Sequence, residues 1–168
     1  MIVAAGLTPA WQQTVVVDQL QRGRVHRAQA VHWSASGKIV NVATALKLLG
    51  ADARTVVLLG GPHRSAMEAD LAALQVPLMV VETRTPTRVC TTILEQSGGA
   101  STELVENAGA VAEEELEAFA DGLAREAVGA STVVLTGSLP GGTPASYYAR
   151  LLDSCTGRAV LDVRGEDR

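Results

Sequence analysis

Residues 133–148 read Val133-Val134-Leu135-Thr136-Gly137-Ser138-Leu139-Pro140-Gly141-Gly142-Thr143-Pro144-Ala145-Ser146-Tyr147-Tyr148. A β-branched and leucine run stops at a glycine-rich turn, and a helix start follows. In open α/β sheets such a strand-to-helix turn lies at the carboxyl ends of the strands, where ligands bind. Gly137, Gly141 and Gly142 permit close backbone approach, and Ser138 offers a hydroxyl. Thr143 supplies a capping oxygen and Pro144 suits a first helical position, so the spacing predicts a helix opening there. Taken alone, the stretch fits an ordinary tight turn as well as a ligand-binding one.

Four further apolar runs read as buried strands: Ile2 to Ala5, Arg54 to Leu59, Leu78 to Glu82 and Ala159 to Val163. With Thr132 to Thr136 they alternate with helical patterns. Val42, Ala45, Leu46 and Leu49 recur at helical spacing and Gly50 closes that helix. Met67, Leu71 and Leu74 mark a second helix after Pro62. Leu116, Phe119, Ala120, Leu123 and Ala127 mark a third, with Glu113, Glu114 and Glu115 at its positive end. Tyr147, Leu151, Leu152 and Cys155 belong to a fourth. This rhythm predicts an α/β fold, a mostly parallel sheet with helices on both faces.

Two regions break the rhythm. Residues 12–33 contain Thr14-Val15-Val16-Val17 and the run Val25 to Trp33, joined by a polar turn around Arg22-Gly23. Residues 87–106 contain Arg88 to Leu94 and Thr102 to Val105, joined by Ser97-Gly98-Gly99. Both read as β-hairpins without a crossover helix. Two such insertions can pair into a small β-sheet lid over the main one.

Composition narrows the function classes. At 168 residues the chain suits one domain with a real core. Only 3% of residues are aromatic, so Val, Leu and Ala must build that core, as in parallel strands covered by helices. A net charge of −4 without a basic run argues against a nucleic-acid partner. No apolar segment approaches the ~20 residues of a membrane helix. Residues 1–6 lack a basic, apolar leader, and a cytoplasmic chain is expected. Cys90 and Cys155 carry no pairing or metal spacing and read as two buried, reduced thiols.

The chemistry-bearing candidates are few. Ser36-Gly37-Lys38-Ile39-Val40-Asn41 precedes the helical stripe from Val42, so helix-start N–H groups and the Lys38 ammonium would attract an anion. The glycine spacing excludes a Walker A loop. Arg88, after Pro86-Thr87, offers a fork suited to phosphate. Glu103 and Asn107 offer partners for sugar hydroxyls. From spacing alone a plain cap with a solvated lysine is the better reading of Ser36 to Asn41. A solvated strand-edge arginine is the commoner reading of Arg88, and Glu103 and Asn107 could simply be exposed. His26 and His32 alternate along an expected strand, and His63 sits in a Gly-Gly-Pro-His loop. No zinc-protease or nucleophile-elbow pattern occurs. Gly6-Leu7-Thr8-Pro9 stands where a dinucleotide-binding fold carries G-x-G-x-x-G, which argues against an NAD-dependent oxidoreductase.

Together these segments resemble the PfkB (ribokinase-like) carbohydrate kinases, in the 1-phosphofructokinase and tagatose-6-phosphate kinase branch. Gly6-Leu7-Thr8-Pro9-Ala10 resembles that branch's opening strand and Asn-Pro turn, and Val25-His26-Arg27-Ala28 its Val-Asn-Arg-Ala segment. Ser36 to Ala43 resembles its Gly-Gly-Lys-Gly-Ile-Asn-Val-Ala signature. Thr87-Arg88, Thr102-Glu103-Leu104 and the Gly137 to Gly142 turn match further segments, and Leu161-Asp162 with Gly165-Glu166 looks like the next strand.

The resemblance implies ATP-dependent phosphorylation of a sugar phosphate of the fructose 1-phosphate or tagatose 6-phosphate type, with Mg²⁺. It implies that Gly37, Lys38 and Asn41 contact the sugar, that Arg88 holds its phosphate and that Ser138 lines the pocket. The hairpins would form a lid that also serves as a homodimer interface. Three positions depart from the pattern. Gln12 stands where the family has an aspartate that binds sugar hydroxyls, while Ser36 and Ile39 replace glycines. The β-branched Ile39 is expected to narrow backbone approach to a ligand. These departures motivate the alternative of a non-catalytic sugar-phosphate-binding relative.

The family's Asn-x-x-Glu and Gly-Ala-Gly-Asp motifs, the latter carrying the catalytic aspartate, do not occur in residues 1–168. The expectation is therefore a substrate half whose nucleotide half would follow Arg168. Alone it should not turn over ATP, and the strand Ala159 to Val163 should lie near an uncovered sheet edge.

Overall fold

The computed structural model describes residues 1–164. Their order is β1 (Ile2–Gly6), β2 (Ala10–Val17), β3 (Ala30–Ser36), α1 (Lys38–Leu48), β4 (Ala53–Gly60), α2 (Arg64–Ala73), β5 (Leu78–Thr83), β6 (Arg88–Glu95), β7 (Ser101–Val105), α3 (Glu113–Glu126), β8 (Thr132–Ser138), α4 (Tyr147–Leu152) and β9 (Arg158–Arg164). Five strands form a parallel sheet in the order β5-β4-β1-β8-β9. All five runs expected as buried strands are strands of this sheet, but the last of them is not buried, because it forms the edge. β9 is the outer strand, and its Val160 and Leu161 are 44% and 45% exposed.

Crossovers of fixed hand put the helices of one direction of strand progression on one face, and those that follow its reversal after β5 on the other. Ile39, Val40 and Ala43 of α1 pack with Met67 and Leu71 of α2 against Ala4, Val57 and Leu59. Leu116, Phe119 and Leu123 of α3 pack with Tyr147, Tyr148 and Leu151 of α4 against Val3, Ala5 and Leu135 on the other side. Phe119 is fully buried in this aliphatic core. Among the described residues no helix is long and apolar enough to cross a membrane.

The two hairpins exist and join edge to edge into a second sheet, β3-β2-β6-β7. Within each hairpin the strands are antiparallel, but β2 and β6 pair in parallel, Ala10 opposite Arg88 through Val17 opposite Glu95. Both therefore leave the main body side by side. Their far turns are fastened to each other: Gln96 and Ser97 donate backbone N–H groups to Val17 and Asp18, and Leu20 donates to the Glu95 carboxylate. At the near end Trp11, Trp33 and His63 stack with ring centroids 6.0–6.3 Å apart, packing the sheet on the start of α2.

Four local expectations are corrected. Val25 to Gln29 is not strand; β3 starts at Ala30, and His26 lies in the connecting loop. There its Nε2 sits 3.1 Å from the backbone N and 2.9 Å from the backbone O of Gln21, a side-chain-to-backbone closure that competes with ladder pairing. The last helix opens at Tyr147, not Pro144. A turn comes first, with the Tyr147 N–H donating to Pro144 O, and the Thr143 hydroxyl caps nothing. Cys155 is only partly buried because it lies beyond the end of α4, whereas Cys90 is buried; both are free. The first helix also begins earlier than its apolar stripe, so Lys38 to Asn41 form its first turn. Gly165-Glu166 lies outside the described residues.

Glu115 ties α3 to the segment between the sheets. Its Oε2 accepts from the Thr83 hydroxyl at 2.9 Å and the Ala112 N–H at 3.0 Å, and its Oε1 accepts from the Arg84 N–H at 2.7 Å. Burial pushes its pKa up, but these hydrogen bonds and the Arg84 side chain outweigh burial and hold the carboxyl below its usual value near 4.5. A depressed carboxyl stabilises the fold above its unfolded pKa, and that contribution is lost as pH falls through the folded value. Glu115→Gln must turn an NH₂ toward a donor. It should cost about 1–3 kcal/mol at neutral pH in urea unfolding, with the deficit shrinking below pH ~4.5. A deficit independent of pH would show that the charge is not involved.

Candidate functional site at the switch point

From β1 the sheet grows toward β4 and β5 on one side and toward β8 and β9 on the other. The crevice outside the carboxyl ends of β1 and β8 is thus the topological switch point, the usual ligand position in open α/β sheets. The turn Leu7-Thr8-Pro9 leaves β1 there, and the Gly137-Ser138 turn leaves β8.

Thr8 gathers the surrounding segments. Its Oγ1 donates to the Ser138 carbonyl at 3.1 Å and lies 3.3 Å from Ser138 Oγ. Its carbonyl accepts from Arg88 Nη2 at 3.1 Å. Gly37 packs on the same turn: a Cβ there would lie 3.0 Å from Pro9 Cα and 3.2 Å from both Thr8 O and Ala10 N. Gly37 also sits at φ 98°, which L side chains rarely adopt, as the residue preceding α1. Arg88 adds contacts from Nε to Pro9 O at 3.4 Å and from Nη1 to Glu106 O at 3.1 Å. Three of its five N–H groups are so used, leaving one on each terminal nitrogen. Beside Arg88, a cavity of about 20 Å³ lined by Thr8, Thr83, Thr85, Thr87 and Pro140 has room for about one water.

Lys38 opens α1 at the other flank. Its Nζ lies 3.0 Å from both Oδ1 and Oδ2 of Asp162 on β9, and Asp162 also accepts from Thr136 Oγ1 at 3.3 Å. The Lys38 ammonium beside it holds the Asp162 carboxyl below its usual range. Both side chains remain more than half exposed, so the ammonium stays open to an incoming anion.

Behind the crevice Tyr148 donates to Gly137 O at 3.0 Å and Thr136 O at 3.3 Å, and burial pushes its phenol pKa far up. Tyr148→Phe should lower stability by about 0.5–1.5 kcal/mol in thermal or urea melts. An unchanged midpoint would mean that the phenol does not brace the turn.

Gln12 lies on β2 near the turn, with Nε2 bonded to Thr92 Oγ1 at 2.9 Å. Glu103 on β7 is exposed and stands opposite Thr92 in the ladder. Asn41 is exposed in the first turn of α1, apart from the contacts around Thr8. The expected obstruction by Ile39 is corrected: its side chain is 1% exposed, turned into the core against Gly6, where a Cβ would lie 2.7 Å from Ile39 Cβ. Thr8, Asp162, Thr92 and Tyr148 had not stood out among the candidates. Thr8, Asp162 and Tyr148 carried a signal only as members of segments quoted above, and Thr92 carried none beyond its strand.

A parallel sheet with helices on both faces, whose switch point draws in an arginine, a lysine and paired hydroxyls, is an α/β protein with a polar crevice at its switch point. The chain belongs to the pfkB family carbohydrate kinases, whose model matches residues 1–165. It is 30% identical over 166 residues to the 1-phosphofructokinase of Xanthomonas campestris pv. campestris, covering 97% of this chain and 52% of that protein. It is 26% identical over 163 residues to the tagatose-6-phosphate kinase of Staphylococcus epidermidis, covering 97% and 52%. The crystal structure of phosphofructokinase-2 from Escherichia coli in complex with fructose-6-phosphate matches with TM-score 0.91 at 25% identity, over 98% of this chain and 55% of that one. The chain thus spans about half the length of the curated relatives it matches.

Proposed function

We propose that this chain is the sugar-phosphate-binding portion of a cytoplasmic, ATP-dependent carbohydrate kinase acting on a phosphorylated ketose of the fructose 1-phosphate or tagatose 6-phosphate type. The observation that carries the reading is the convergence on Thr8, where residues 37, 88 and 138 meet one turn at the switch point. The two spare N–H groups of Arg88 suit a bidentate grip on the substrate phosphate. Lys38 adds positive charge at the helix start, and Gly37 and Asn41 border the sugar. Ser138, Gln12 and Glu103 offer partners for its hydroxyls. The second sheet is the lid, and its outer surface the proposed homodimer contact.

Phosphoryl transfer relies on positioning and charge stabilisation, and this half supplies the positioning. Among the described residues no group of three or more His, Cys, Asp or Glu side chains is placed to hold a metal. ATP, Mg²⁺ and the base that activates the hydroxyl are assigned to the remaining half of the relatives' length. Calorimetric titration of the 168-residue chain with fructose 1-phosphate and tagatose 6-phosphate is the test. Saturable heat with one of them, absent with unphosphorylated fructose, is expected, together with no ATP turnover by this chain alone. Silence with every sugar phosphate overturns the reading. The uncharged amide of Gln12 favours one alternative, a relative that binds without turnover, which binding by a chain of the relatives' full length without phosphorylation would establish.

A further inference from the structure

An amide presents two N–H donors on one side and a carbonyl acceptor on the other, and its neighbours decide which side is turned outward. At Gln12 both donors are committed. Nε2 donates to the Gln13 backbone carbonyl at 3.2 Å and to Thr92 Oγ1 at 2.9 Å. The Gln13 carbonyl can only accept, so the NH₂ must lie on that side; the flipped amide would set oxygen against oxygen. Oε1 has no protein donor among the described residues.

We propose that Thr92 is a positioning residue that fixes the Gln12 amide so that only Oε1 faces the ligand. Gln12 then acts as an uncharged acceptor that takes a hydrogen bond from a ligand hydroxyl. This inference rests on the sugar-phosphate reading and refines it. The group bound at this position is a hydroxyl donor, as on a polyol carbon. The phosphate is held elsewhere, at Arg88. Thr92 reaches Gln12 diagonally, because Gln12 stands opposite Cys90 and Thr92 opposite Thr14 across the parallel β2–β6 pairing.

The test is calorimetric titration of the 168-residue chain and its variants with fructose 1-phosphate, tagatose 6-phosphate and inorganic phosphate. Thr92→Val frees the amide and should weaken sugar-phosphate binding roughly threefold to tenfold while leaving inorganic phosphate binding unchanged. Thr92→Ser keeps the hydroxyl and should restore the parent affinity. Gln12→Glu keeps an acceptor and should bind the sugar phosphate, whereas Gln12→Leu should lose affinity by a similar factor. In the Gln12→Leu background Thr92→Val should have no further effect. Equal sugar-phosphate binding by the parent, Thr92→Val and Gln12→Leu chains overturns this inference and leaves the sugar-phosphate reading standing. A Thr92→Val loss that persists in Gln12→Leu, or that extends to inorganic phosphate, also overturns it. A parent chain that binds no sugar phosphate removes both readings together.

Discussion

Arg88→Ala is expected to weaken sugar-phosphate binding at least ~30-fold, the low end of what truncating a buried charged partner costs. The same change should lower stability by about 1.5–3 kcal/mol, because its bonds to Thr8, Pro9 and Glu106 carbonyls vanish and those acceptors are left behind. Calorimetry and urea unfolding read the two effects separately. Arg88→Lys is the sharper comparison. It retains the charge but has no planar fork, so it cannot reach three carbonyls and still present two donors to a phosphate. Most of the binding loss should therefore remain in Arg88→Lys. Parent-like affinity in Arg88→Ala would remove the arginine from the site.

Gly60→Ala should be the most damaging alanine substitution among the described glycines. A Cβ at this position would lie 2.1 Å from Thr83 O and 2.4 Å from Thr85 O, and both are backbone atoms that cannot swing aside. The segment 83–87 crosses the end of β4 at that spot, held by Thr87 N–H to Gly60 O at 3.0 Å and by Gly60 N–H to Thr87 Oγ1 at 3.1 Å. Relief requires lifting that crossing, and Arg88 follows it directly. A cost of ~3 kcal/mol or more is expected, at or beyond the upper end of overpacking effects. Urea midpoints measure it, and a shift equivalent to less than ~0.5 kcal/mol would mean that the crossing yields easily. Any folded remainder should also bind sugar phosphate poorly.

Much of the architecture was legible because burial leaves a period in the sequence. Residues 2–5, 56–59 and 133–135, within β1, β4 and β8, are continuously apolar, as strands covered on both faces must be, and Leu116, Phe119 and Leu123 mark one helical stripe. Failures came where a local bond overrode the period. His26 alternates with the later β3 residues, yet its contact with Gln21 keeps that stretch in a loop. Pro144 is a good helix opener, yet the chain turns once more before Tyr147. At the site, residue types were readable but partners were not. Nothing near Lys38 announces Asp162, which is 124 residues away, and nothing near Gln12 announces Thr92. Arg88 looked like a free cation, whereas its fork is already half engaged with main-chain carbonyls. Such pairings arise only when strands distant in sequence are brought into register.

The side-by-side departure of β2 and β6 has a mechanical result. The smaller sheet is moored along one border, through Ala10, Ser36, Arg88 and the residues after Val105, and by Trp11, Trp33 and Ala35 against α2, while among the described residues its distal loops bond only to one another. It should tilt as a stiff leaf on a spine. The spine passes beside Thr8 and Arg88, so on the proposed reading the phosphate would be gripped at the base of the leaf, and any rotation there would displace Val25 most.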